Sequence, residues 1–133
     1  MRSSKKVLIV EDHKDSCLWI SAVLRQAGFR TMEANDGTMG VQLARRERPD
    51  LILLDIHLPA GSGYFVLESL KKVEATRSIP VIVMTGDLDL DEQEIRDYGA
   101  ASIFRKPMDV NAFVQEIKTV IANYQAMSMV LPA

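Results

Sequence analysis

The chain has one cysteine, Cys17, among its 133 residues, so it can form neither an internal disulfide nor a zinc cluster. No apolar run approaches the roughly 20 residues that span a bilayer, which leaves no membrane span to expect. No strong charge of either sign is present. A net charge of −2 gives the whole domain no pull toward nucleic acid or an anionic membrane surface. Internal repeats and low-complexity tracts are also missing. The start, Met1-Arg2-Ser3-Ser4-Lys5-Lys6, is followed by four apolar residues and then acids, too short a core for a secretory signal. A cytoplasmic location is therefore expected. What is present is ordinary for one globular domain: 47% hydrophobic and 26% charged residues, and enough length to bury a core without staples.

Short apolar runs alternate with segments of helical period. Val7-Leu8-Ile9-Val10 reads as a buried strand. A helix follows over about residues 15–27, with Cys17, Ile20, Leu24 and Ala27 on one face and Gly28 as its stop. A weaker strand (29–34), an Asn35-Asp36-Gly37 turn and a short helix to about Arg46 come next. Pro49 closes that helix, and residues 51–55 form the second strong strand. The Pro and Gly content of 58–63 marks a loop. Then come a helix (64–73), a polar connector to Pro80, a strand (81–85), a weak acidic helix (90–98) and a last strand (101–105). In the final helix Val110, Phe113, Val114, Ile117, Val120, Ile121 and Tyr124 make one apolar stripe, and Asp109 is placed to cap it. Near-continuous apolar strands imply a sheet covered on both faces. Right-handed crossovers then favour a single α/β domain: a doubly wound five-stranded parallel sheet in the flavodoxin-like order 2-1-3-4-5, with helices on both faces. The domain is expected over 1–126, with 127–133 a tail or the start of a linker.

Polar residues end these strands. Glu11 and Asp12 follow the first, Asp55 ends the third, Thr85 ends the fourth and Lys106 follows the fifth. In a parallel sheet these ends gather on one edge, where open α/β sheets bind ligands. Three carboxylates close together repel one another unless a cation sits among them. Magnesium suits them, because it takes hard oxygen ligands and joins carboxylates to phosphate oxygens. Asp12 and Asp55 would ligate it directly, Glu11 directly or through water, and the backbone carbonyl of His57 would complete the set. Asp55 would then attack phosphorus to form an acyl phosphate, with Lys106 and the Thr85 hydroxyl on the phosphoryl oxygens and Gly86 leaving the approach open. Taken singly, each residue has a bland reading as a solvated acid, an ordinary strand threonine or a surface lysine. The joint placement is what argues for chemistry.

Residues 7–12, 50–59 through Gly63, Val83-Met84-Thr85-Gly86 and Lys106-Pro107 resemble response-regulator receiver domains, and the likeness covers about residues 6–124. The resemblance implies that Asp55 is the phospho-acceptor, Glu11 and Asp12 the acidic metal pair, Thr85 the switch hydroxyl and Lys106 the phosphate-pairing lysine. It implies magnesium-dependent transfer from a phosphohistidine on a sensor histidine kinase or histidine phosphotransfer domain. The product would act on a downstream protein partner or fused output domain, and a phosphorylation-linked dimer is one form that this output takes. Direct nucleic-acid binding is not expected, nor is enzyme activity beyond the domain's own phosphorylation and dephosphorylation. The chain leaves no room for an output domain after Tyr124, so it is expected to be a stand-alone regulator or a piece of a larger regulator or hybrid kinase. One departure stands out: Ile103 replaces the aromatic residue usual three positions before the lysine, and strand alternation turns Phe104 to the opposite face. Two rivals remain open: a degenerate receiver used only for protein interaction, and an aspartate-nucleophile phosphatase. The second wants an acid two residues after Asp55, where this chain has His57.

On the first helix Trp19 lies about 100° from the centre of the inward face. With Ser16 one turn earlier and Met108 on the loop after Lys106-Pro107, it is expected to form a docking contact for a partner helix.

Overall fold

The computed structural model describes residues 4–58, 62–87, 89–106 and 109–130, the side chains of 128–130 excepted. Five strands, β1 (Lys6–Val10), β2 (Arg30–Ala34), β3 (Leu51–Asp55), β4 (Val81–Thr85) and β5 (Ser102–Arg105), form one parallel sheet in the order β2-β1-β3-β4-β5. The helices between and after them are α1 (Lys14–Gln26), α2 (Gly37–Glu47), α3 (Gly63–Lys72), α4 (Glu92–Asp97) and α5 (Val110–Val130). This is the expected doubly wound architecture.

Strand alternation divides the core in two. Leu8, Val10, Ile52, Leu54, Val81 and Val83 face α2, α3 and α4, meeting Ala44, Val66, Leu67, Leu70 and Ile95. Val7, Ile9, Leu51, Leu53, Ile82 and Met84 face α1 and α5, meeting Cys17, Ile20, Leu24, Phe113, Ile117 and Ile121. Burying each such side chain contributes about 1.5–3 kcal/mol. Phe104 belongs to the second face and packs edge-on against Phe113 at 5.1 Å, while Ile103 packs on the first.

Helix ends follow local chemistry. Asp36, Ser62 and Asp91 accept backbone N–H groups at the starts of α2, α3 and α4, and Asp109 accepts from Ala112 N at 2.9 Å. Helix α2 ends at Arg48, which adopts a left-handed φ of 47° without being glycine. Helix α5 continues past Tyr124 to Val130, and Val110, read as part of its apolar stripe, is exposed.

Gly63 opens α3 against the end of β3. Its N–H donates to the Ile56 carbonyl at 2.9 Å, and a Cβ there would lie 2.5 Å from Ile56 Cα and 2.9 Å from the Asp55 carbonyl oxygen. Those neighbours are backbone and cannot swing away. Gly63→Ala is therefore expected to destabilise the fold by about 1–3 kcal/mol, the usual cost of overpacking, measured by urea denaturation. An unchanged midpoint would show that α3 moves freely against Asp55.

Candidate functional site

Strand β1 lies between β2 and β3, so the crossovers diverge on either side of it. The crevice at this switch point opens beyond the C-terminal ends of β1 and β3. Val10 pairs with Leu54, which sets Glu11 and Asp12 beside Asp55. Asp55 pairs with Met84 across β4, so Thr85 stands one residue further along. Thr85 pairs with Arg105, and Lys106 N donates to the Thr85 carbonyl at 2.7 Å. The register thus brings residues from four strands to one crevice.

Glu11 is fully buried and Asp55 is 5% exposed. Lys106 Nζ lies 3.1 Å from Glu11 Oε2 and 3.3 Å from Asp55 Oδ2, so one ammonium bridges two buried carboxylates. The His57 backbone N–H donates to Asp55 Oδ1 at 2.9 Å, which fixes the other oxygen of that carboxylate. The His57 side chain turns away, with Nε2 3.4 Å from Asp87 Oδ2. Thr85 is buried, and its hydroxyl accepts the Asp87 backbone N–H at 3.0 Å. Among the described residues a Cβ at Gly86 would meet only Lys106 Cβ, at 4.0 Å, so an alanine would fit there.

Glu11, Asp12, His13 and Asp55 each offer a donor atom, all within 4.8 Å of one another. Asp12 Oδ1 is buried and has no hydrogen-bond partner among the described residues. His13 Nδ1 lies 3.4 Å from Asp12 Oδ1. A buried carboxylate oxygen left this way is costly unless a cation meets it. The donor set, three carboxylates and one imidazole, fits a small divalent cation. His13 was not singled out by the strand-end pattern, because it lies one residue past the acidic pair.

The electrostatics agree. Burial pushes the Glu11 carboxyl above its ordinary 4.5, the neighbouring Asp55 adds to this, and Lys106 opposes it. Burial pulls the Lys106 ammonium down, but the charges of Asp55 and Glu11 outweigh it and leave the group above 10.5. That contribution to stability is complete below 10.5 and is lost only as pH rises further.

The docking residues divide. Trp19 is 45% exposed on α1, beside exposed Leu18, and Ser16 is half-buried one turn before it. Pro107 and Met108 lie outside the described residues.

Comparison with known proteins gives the site its class. The family model for the response regulator receiver domain matches residues 7–118. The polar-differentiation response regulator DivK of Brucella anthropi is 37% identical over 120 residues, covering 90% of this chain and 98% of that protein. The receiver domain of sensor histidine kinase PA1611 from Pseudomonas aeruginosa, solved with magnesium coordinated in its active-site cleft, superposes with a TM-score of 0.84 at 28% identity, over 90% of this chain and 99% of that one. Chemotaxis protein CheY4 of Vibrio cholerae shares the fold, with a TM-score of 0.83 at 24% identity over 89% and 99% of the two chains. The chain belongs to the response regulator receiver domain family, the signal-receiving modules of two-component systems. Among the described residues no helix is long and apolar enough to cross a membrane.

The raised Glu11 pKa has a consequence for stability. Above 4.5 the folded, metal-free protein holds the Glu11 proton more tightly than the unfolded chain does, so this group's contribution falls as pH rises through the window up to its folded pKa. Denaturation midpoints measured without divalent cations should show that slope, and Glu11→Gln should flatten it. An identical slope in the variant would remove Glu11 as its source.

Proposed function

We propose that this receiver accepts a phosphoryl group on Asp55 from a phosphohistidine of a sensor histidine kinase or histidine phosphotransfer domain. The contact that carries the reading is Lys106 Nζ, held between Asp55 Oδ2 and Glu11 Oε2. That geometry keeps a cation beside the nucleophile where phosphoryl charge arrives. An Asp55 carboxylate oxygen attacks phosphorus. The new O–P bond forms as the P–N bond breaks, and the departing imidazole keeps the electron pair. Lys106 then pairs with a phosphoryl oxygen, and the Thr85 hydroxyl, now occupied by Asp87 N–H, turns to another. Asp12, Asp55 and the His57 carbonyl, with Glu11 beside them, would hold Mg2+, which would supply positive charge to offset the carboxylates and the incoming phosphoryl group. The magnesium in the Pseudomonas receiver's cleft supports this choice of ion.

The domain acts on itself, taking up and losing its own phosphoryl group, and serves as a cytoplasmic switch for a downstream partner or fused output domain, with a phosphorylation-linked dimer as one such output. Its receiver domain is residues 1–126, with 127–133 a C-terminal tail or the start of a linker, although α5 itself continues to Val130. Helix α1 docks the phosphodonor through Ser16 and Trp19, and Met108 completes that contact from the loop after β5. An exposed tryptophan beside exposed Leu18 is the apolar anchor that such a helix-on-helix contact uses. An interaction-only role is disfavoured by the intact set Glu11, Asp12, Asp55, Thr85 and Lys106, and a phosphatase role by His57, whose ring faces Asp87.

Mass spectrometry after acetyl phosphate and magnesium should label the native chain at Asp55 and leave Asp55→Asn unlabelled, while Lys106→Ala is labelled but responds weakly. Asp12→Ala should abolish magnesium binding in a titration while keeping the fold. Full labelling of Asp55→Asn would place the nucleophile elsewhere. Trp19→Ala should slow transfer from the histidine donor by about tenfold, the effect of losing one anchor, and leave acetyl phosphate labelling unchanged. Equal loss with both donors, or loss with neither, would reject the docking role.

A further inference from the structure

Ile103 has no polar atom with which to sense the Thr85 hydroxyl and no ring to swing, and it packs among the core residues of the α3–α4 face. Arg105, two residues on and so on the same face of β5, makes the contacts that Ile103 cannot. Its Nη1 donates to the Asp87 carbonyl at 2.7 Å. Its Nε lies 3.0 Å and its Nη2 2.8 Å from Glu92 Oε2, and Glu92 is the first residue of α4. One planar guanidinium therefore ties the start of the β4–α4 loop to the helix that follows it, a fork geometry that lysine does not reproduce.

The other side of Asp87 belongs to the reactive crevice. Its N–H donates to Thr85 Oγ1 at 3.0 Å, and its carboxylate lies 3.4 Å from His57 Nε2. His57 in turn fastens Asp55 Oδ1 through its backbone N–H. One path thus leads from Asp55 through His57 to residue 87, a second contact reaches residue 87 from Thr85, and one path leads from residue 87 through Arg105 to α4. If Thr85 turns its hydroxyl to a phosphoryl oxygen, the N–H of Asp87 loses its acceptor. Residue 87 then shifts as a whole, and Arg105 must follow its carbonyl, which lies in the next peptide unit, or release it. The Arg105–Glu92 pair is partly exposed, with side chains 36% and 45% accessible. It is a contact of modest strength, as a link that changes state requires.

We propose that Arg105 is the positioning residue that couples the phosphorylation state of Asp55 to helix α4, through the Asp87 carbonyl and Glu92. The proposal rests on the phospho-acceptor reading above. It is tested by amide hydrogen exchange over residues 92–97, with and without acetyl phosphate and magnesium, with labelling of the same samples followed by mass spectrometry. In the native chain, modification should change exchange in α4 by about threefold or more, as a local opening equilibrium responds to a lost anchor. In Arg105→Gln and in Glu92→Gln, Asp55 should label to the same extent while the modification-dependent change in α4 disappears. A purely structural role would alter the exchange of the unmodified variants and leave their response to modification intact. A response of native size in either variant would overturn the coupling, as would a labelled native chain whose α4 does not respond. A native chain that takes no label would instead overturn the phospho-acceptor reading, and the coupling with it.

Discussion

The architecture turns on the repulsion between carboxylates at the open edge of the sheet. Glu11 is fully buried and Asp55 nearly so, and neither can reach bulk water to spread its charge. Lys106 holds them together, delivered from the far side of β4 at 3.1 and 3.3 Å. A lysine on an exposed loop would be screened and mobile. This one is fixed by a backbone bond to Thr85, and burial strengthens the attraction that retains it. The same arrangement leaves Asp12 Oδ1 without a hydrogen-bond partner among the described residues, so the edge is balanced for one charge and still short for another.

Such a balance needs rigid supports, and the fold supplies them on both sides. The two core faces clamp the strands from above and below, leaving the strand ends little freedom to separate. Gly63 lets α3 begin in van der Waals contact with the backbone of Asp55 and Ile56, so Asp55 is braced from behind as well as by the His57 N–H. Asp87, in the connection after β4, is held by hydrogen bonds to Thr85 and Arg105 and by a partly exposed contact with His57. The carboxylates of the crevice thus sit at strand ends braced by the sheet.

Membership of the receiver family explains the site but not every feature of this chain. Ile103 departs from the family's aromatic position, and its packing in the core leaves the polar work at the end of β5 to Arg105. Phe104 has a separate task, bracing β5 against Phe113 of α5. Adjacent residues on one strand therefore serve opposite faces, as the two-residue strand period requires.

Much of this was legible in the chain itself. Apolar runs of strand length, each ended by a polar residue, specify five parallel strands, because only a sheet buried on both faces makes such runs stable. That pattern alone points to Glu11, Asp12, Asp55, Thr85 and Lys106 as neighbours, and the outward position of Trp19 follows from helical period. What tertiary structure decided are contacts between residues that no local period relates. The Lys106 bridge, the turn of His13 toward Glu11 and Asp12, and the buried Thr76 hydroxyl donating to the Leu70 carbonyl inside a connector read only as polar are of this kind. So is the reach of Arg105 to Glu92, 13 residues away in the chain. Sequence periodicity fixes which face a side chain occupies, whereas its partner depends on strand register and loop path, and those are settled only when the whole sheet has formed.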